Sequence, residues 1–479
     1  MDVEGTTKNQ QSPAATVFFV LFAIGAVAAI AVLGIVAFAS FAGSGQFSSG
    51  PTIPDEWDPV LEPYIDFIES ERGLEFEHPV NVRFTDISAE VAADFEAARE
   101  LEEQFDSSNA VGPFADPYAE AFTLLGLVEF DPNLDSQESA EASIIENAGA
   151  FFDPWDQEIV LPEDESILSL QITIVHELTH ALQEQNGMLE FHPDTADSSQ
   201  ARLALIEGDA ERIAEAWVAQ LSEAERQELF DAIGFSSDLP FEEPGNSYLD
   251  STFFVSYSVG VPLVLSIIET DGVEELNRLL RSPDVGSTER FVDLLGESDD
   301  QGVNALREFD LPEGREQADG DLGALAWFAT LAPTIGTDGA FDALVGYDDD
   351  AFAIFENASG TTCARFQVFF DDAAEAAEFN SLVGGVGIAG SVDAVDSSVT
   401  AELCESIGNP DDQRSAVVFP LILANELILN HLLMGESPDV ARCAALAQAK
   451  TQPVDQSLND FGGFDAQFVA STPFVNACR

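Results

Sequence analysis

The chain has 479 residues, and its 17 Lys and Arg against 88 Asp and Glu leave a formal charge of −71, yet 46% of the residues are apolar. High charge without low hydrophobicity excludes a disordered chain, and the length exceeds one small module and leaves room for two folded units. So acidic a surface repels phosphate backbones and excludes a nucleic-acid partner.

Only Lys8 and Lys450 are lysines; the other fifteen basic residues are arginines. This looks like the surface of proteins from salt-saturated cells, where a Debye length of about 3 Å screens carboxylate repulsion. In chain order, 1–13 reads as a cytoplasmic tail, and 14–42, which carries no charge, reads as a transmembrane helix. The competing reading is a cleaved signal peptide, for which Ala37-Phe38-Ala39 offers a site but the apolar run is long. Lys8 precedes the span, whereas Asp55, Glu56 and Asp58 follow it with no base before Arg72. That weak positive-inside bias predicts a single-pass cell-membrane protein with the bulk of the chain outside the cell. Residues 43–60, rich in Gly, Ser and Pro, read as a linker.

Beyond the linker, 81–85 alternates like a half-buried strand and 87–105 has helical spacing. Residues 148–152 and 158–161 read as a hairpin around Asp153-Pro154-Trp155-Asp156. A helix is predicted over 165–185, stopped by Asn186-Gly187, and a second over 199–219 with Asp197 and Ser198 as caps. Residues 221–235 read as helical and 253–268 as an apolar segment, while Ser287 or Thr288 could cap a further helix. The polar, Gly- and Asp-rich stretch 299–320 suggests a domain boundary. It would separate a catalytic unit, 61–300, from a C-terminal α+β unit, 301–479, with strands at 351–355, 362–370 and 392–403 and a helix at 371–383. Cys363, Cys404, Cys443 and Cys478 all lie in that unit without C-x-x-C spacing. An even number in an exported chain predicts two disulfides, with three connectivities open.

The most informative string is His176-Glu177-Leu178-Thr179-His180. On a helix, positions i and i+4 share a face, so two imidazoles can grip one metal while Glu177 points toward a bound water. Five histidines in the whole chain make a chance H-E-x-x-H rare, about 0.005 occurrences. A catalytic zinc needs a third protein ligand, and Asn186 stands where a third histidine would fall. Glu207, in Leu205-Ile206-Glu207-Gly208-Asp209-Ala210-Glu211, would complete a His₂Glu set. Asp209, Glu211 and Glu215 are rivals, but Gly208 would let this helix approach its neighbour closely. Asp209, about 200° round the helix from Glu207, is expected to matter least.

Over roughly 151–217 the chain resembles the gluzincin branch of zinc metallopeptidases, which pair an H-E-x-x-H helix with a downstream glutamate helix. The resemblance implies an α+β protein with a zincin-like metallopeptidase domain. It implies His176, His180 and Glu207 as ligands of Zn²⁺, Glu177 as general base and a protein or peptide substrate. Glu211 falls where thermolysin-like members have an Asp that orients a ligand histidine. Glu-Gly-Asp-Ala and the segment around Ser287-Thr288-Glu289 also resemble a poorly characterised group of membrane-anchored or secreted metallopeptidase-like proteins from haloarchaea and actinobacteria. For the oxyanion, Tyr257 or His431 is a candidate donor; His78 and His192 read as surface or loop residues. The competing class is a non-catalytic surface or interaction protein that retains a zincin fold, and another hydrolase could use the same metal set.

Overall fold

The computed structural model describes residues 53–93, 117–128, 149–190, 195–233, 248–282, 287–292, 294, 318–384, 387–388, 390–393, 397–407, 418–452 and 471–479. The expected tail, membrane span and most of the linker lie outside these, as do His192, the expected helix beyond 93 and residues 299–317 of the expected boundary. No helix among the described residues is long and apolar enough to cross a membrane.

The fold is α+β with two small sheets. Helix α1 (Glu62–Arg72) precedes β1 (Asn81–Thr85), and α2 (Pro117–Leu124) precedes the expected hairpin, β2 (Phe151–Asp153) and β3 (Glu158–Pro162). Asp153 builds the turn by accepting hydrogen bonds from the backbone of Trp155 (2.8 Å) and Asp156 (3.2 Å), the local capture expected of an Asx residue. Strand β3 pairs antiparallel with β2 and parallel with β1, which leaves β2 at an edge.

Helix α3 (Gln171–Gln185) starts six residues later than its periodicity suggests. Ser166 and Ser169 bond each other's side chains and backbone there, an arrangement that competes with the helical ladder. The helix stops as expected, with Gly187 in the left-handed region (φ 68°). Helix α4 (Ala196–Gln220) instead begins earlier than expected, capped by Thr195. The distant Asp321 carboxylate accepts from the backbone N–H of Ala196 (3.0 Å) and Asp197 (3.3 Å) and so satisfies that end. Helices α5 (Glu223–Ala232), α6 (Tyr248–Asp271), α7 (Val273–Leu280) and α8 (Glu289–Val292) follow. A capping box of Ser222 and Glu225 opens α5, and Ser287 accepts from the Glu289 N–H at 3.0 Å just before α8.

Strand β4 (Ala318–Gly320) and helix α9 (Gly323–Ala343) lead into β5 (Tyr347–Glu356), β6 (Thr362–Phe370), α10 (Ala373–Val383), β7 (Gly390–Asp393) and β8 (Ser398–Leu403). The five strands form an antiparallel sheet of order β4-β5-β6-β8-β7. The single strand expected over 392–403 is two paired strands, because Ser397 takes a left-handed φ of 50° where the chain turns back. Helices α11 (Phe419–Leu433), α12 (Pro438–Ala449) and α13 (Thr472–Cys478) complete the described chain. Disulfides join Cys363 to Cys404 and Cys443 to Cys478. The first pair faces across β6 and β8, whose register sets Ala364 against Leu403.

Two apolar cores result. One joins α1, the first sheet, α3 and the C-terminal half of α4 through Ile68, Phe152, Leu178, Ile213 and Val218. The other joins the N-terminal half of α4, α6, α9, α11 and the second sheet through Leu203, Val259, Trp327, Phe366 and Leu427. It draws residues from both sides of the expected 300/301 boundary. Helix α4 serves both cores, and Glu207 to Glu211 lie between its two apolar halves.

Candidate metal centre

Within α3, the four-residue spacing sets the rings of His176 and His180 edge to face with centroids 4.6 Å apart, and both residues are fully buried. Their Nε2 atoms stand 3.0 Å from each other. Helix α4 brings the Glu207 carboxylate, also fully buried, to 3.1 Å from His176 Nε2 and 3.6 Å from His180 Nε2. These three side chains therefore present one donor atom each to a common point.

The donor set fits zinc. Tetrahedral ligands about 2.0–2.1 Å from an ion lie about 3.3–3.4 Å from one another, and the separations of 3.0, 3.1 and 3.6 Å bracket that value. Two imidazoles and a carboxylate are also a ligand set of catalytic zinc. Beside them Glu177 is fully buried, and neither of its oxygens has a well-formed hydrogen bond among the described residues. A buried carboxylate left so is costly unless a cation compensates it. The other three-residue group with metal-ligating chemistry among the described residues, Cys363, Glu402 and Cys404, offers no thiolate because its cysteines are disulfide-bonded.

Electrostatics follow from this crowding. Burial raises the Glu177 carboxyl, a tendency that His176 and His180 oppose and to which the Phe152 backbone N–H of β2 adds a weaker counterweight. Burial would also raise Glu207, but the imidazoles of His180 and His176 outweigh it and hold the group at about 2. His176 is pushed well above its ordinary range, because Glu207 and Glu211 overcome the effect of its burial.

No family model, no curated protein and no solved structure matches this chain.

Of the rival carboxylates, Glu211 places Oε2 3.4 Å from His176 Nδ1, on the ring edge away from the ion point. Glu215 lies toward Glu426 of α11: burial pushes Glu426 up to about 8, and burial together with Glu211 and Glu426 pushes Glu215 well up. Asp209, expected to matter least, is not among the three convergent donors. It is fully buried and accepts from Arg72 Nε (2.8 Å), Arg212 Nη2 (3.0 Å) and Gln183 Nε2 (3.0 Å). It points away from the ion, as its helical angle requires, but into a network that reaches His180.

Of the two candidate oxyanion donors, the structure brings Tyr257 to the site. Its buried hydroxyl is pushed well above the ordinary tyrosine range by burial and then by the carboxylates of Glu207 and Glu177, with Glu207 as hydrogen-bond partner. It gets there because α4 and α6 cross with Gly208 against Gly260: a Cβ at Gly208 would lie 2.2 Å from the Gly260 carbonyl. His431 is on α11, its ring lowered by burial and raised by Glu436. His78, half-buried, sits against Gln185 at the end of α3, its backbone N–H donating to Oε1 at 3.2 Å. Sequence reading missed Gln183, Arg72 and Glu426. Gln183 stands three residues past His180 on the ligand helix, so that helical spacing was the one signal that could have found it.

Proposed function

We propose that the chain is a membrane-anchored, zinc-dependent endopeptidase of the gluzincin type, single-pass, with its active site outside the cell and protein or peptide substrates. The observation that carries the reading is the convergence of His176, His180 and Glu207 beside a fully buried Glu177 whose oxygens have no well-formed hydrogen bond among the described residues. Bound there, zinc would bring the pKa of its water toward about 7 and polarise a peptide carbonyl. Glu177 then accepts the proton of the attacking water and returns it to the leaving amine. Tyr257, protonated at neutral pH, donates to the carbonyl oxygen as charge develops on it. Strand β2, at an edge of the sheet among the described residues, supports a peptide substrate, because an extended chain can add to a strand edge, and the backbone of this strand reaches Glu177.

The test is metal analysis and peptide hydrolysis by the full chain in molar salt. One zinc per chain is expected, with cleavage lost to a chelator and regained on adding zinc; a chain that takes up no zinc refutes the reading. Tyr257→Phe is expected to keep its zinc and its KM while kcat falls about 100-fold, as for loss of one oxyanion donor. An unchanged kcat would remove Tyr257 from the chemistry.

A further inference from the structure

A histidine ligates a metal through a ring nitrogen that carries a lone pair, so one that binds through Nε2 must keep its proton on Nδ1. For His180 the atom facing Nδ1 is Gln183 Oε1, at 2.9 Å. An amide can turn over, so this contact alone does not say whether Gln183 accepts or donates. The remaining contacts decide it. The Gln183 Nε2 group is 3.1 Å from the Ile206 carbonyl and 3.0 Å from Asp209 Oδ2. Both of those are acceptors and cannot face an amide oxygen.

Asp209 in turn is held as an acceptor by two arginines: Arg72 Nε donates to Oδ2 at 2.8 Å and Arg212 Nη2 to Oδ1 at 3.0 Å. The direction of every donor in the chain then follows. Arginine donates to Asp209, Gln183 donates to Asp209 and accepts from His180 Nδ1–H, and His180 turns a bare Nε2 toward His176 and Glu207. Gln183, Asp209 and Arg72 are each at least 98% buried, so water does not compete for these bonds.

We infer that Arg72, Asp209 and Gln183 form a positioning relay that fixes the tautomer and ring orientation of His180 and so sets the metal affinity of the site. This rests on the metal centre proposed above. It makes α1, at the start of the described fold, part of the metal site through Arg72, although no residue of α1 contacts the ion point.

The experiment is zinc affinity of the full chain by competition with a chromophoric chelator, with the visible spectrum of the cobalt-substituted protein as a second readout. Gln183→Leu keeps the volume and removes both the acceptor for His180 and the donor to Asp209 and the Ile206 carbonyl; affinity is expected to fall about 10–100-fold, the usual cost of losing an outer partner of a ligand, with an altered cobalt spectrum and lower melting of the metal-free chain, because buried polar groups lose their partner. Gln183→Glu is expected to restore affinity to within about threefold of the parent, because a protonated carboxyl can donate to Asp209 and still accept from His180. Arg72→Gln, three hydrogen bonds from His180 along the relay, is expected to weaken zinc severalfold, and it carries the test if the leucine variant does not fold. Parental affinity in Gln183→Leu or Arg72→Gln overturns the relay, as does an equal loss in the leucine and glutamate variants. A parent chain that binds no zinc refutes the metal centre itself, which is a different failure.

Discussion

Glu177→Gln is expected to lower peptide hydrolysis by at least about 10³-fold while zinc stays near one per chain, toward the upper end of what one general base contributes. The substitution changes one oxygen for an amide of the same shape, so packing in α3 is preserved. Glu177 is not one of the three convergent donors, so its loss removes a proton acceptor without removing a ligand. The side chain is fully buried and its oxygens have no other well-formed bond to lose among the described residues. Parallel measurements of metal content and turnover separate the possible roles. Zinc lost together with activity would make Glu177 structural. Full activity in the variant would end the assignment of Glu177 as general base, whereas a zinc-loaded parent without hydrolysis would favour a non-catalytic protein with a zincin-like metal site.

Gly208→Ala has the largest expected effect on stability. A Cβ there would sit 2.2 Å from the carbonyl carbon and oxygen of Gly260 and 2.7 Å from its Cα. These are backbone atoms, so no side-chain rotation relieves the clash and the two helices must separate. Overpacking of this kind costs about 3 kcal/mol, the upper part of its usual range. Separation also moves Glu207 on α4 and Tyr257 on α6 apart, so kcat is expected to fall with stability. Gly384→Ala is the control, since a Cβ there meets nothing within 4 Å and its φ of −59° suits alanine. Denaturant unfolding compares the two. Equal midpoints for Gly208→Ala and the parent would show that the crossing is not as tight as described.

What the sequence determined by itself is local. The H-E-x-x-H string is visible because its two ligands lie one helical turn apart on one element, and the stop at Asn186-Gly187 follows from residues next to it. Strands such as β1 and β6 were legible for the same reason, as was the chance that four cysteines pair. Where a nearby side chain competes for the backbone, local reading drifted: Ser166 and Ser169 delay α3, and the left-handed Ser397 divides one expected strand into two.

Tertiary structure decided everything that depends on which faces meet. Glu207, Asp209, Glu211 and Glu215 occupy one helix, and although Gly208 favours Glu207, the sequence alone does not fix where each of the four carboxylates goes. The crossing of α4 between two cores assigns them: Glu207 to the convergent donors, Glu211 to the back of His176, Glu215 toward Glu426 and Asp209 to Arg72 and Gln183. Arg72 lies 137 residues from the aspartate it clamps. The pairing of Cys363 with Cys404 likewise waits on the register of β6 and β8. The physical reason is common to all of them. Helical and strand periodicity is set by neighbours a few residues away, whereas a ligand set, a relay and a disulfide are set by contacts that exist only once distant elements have packed.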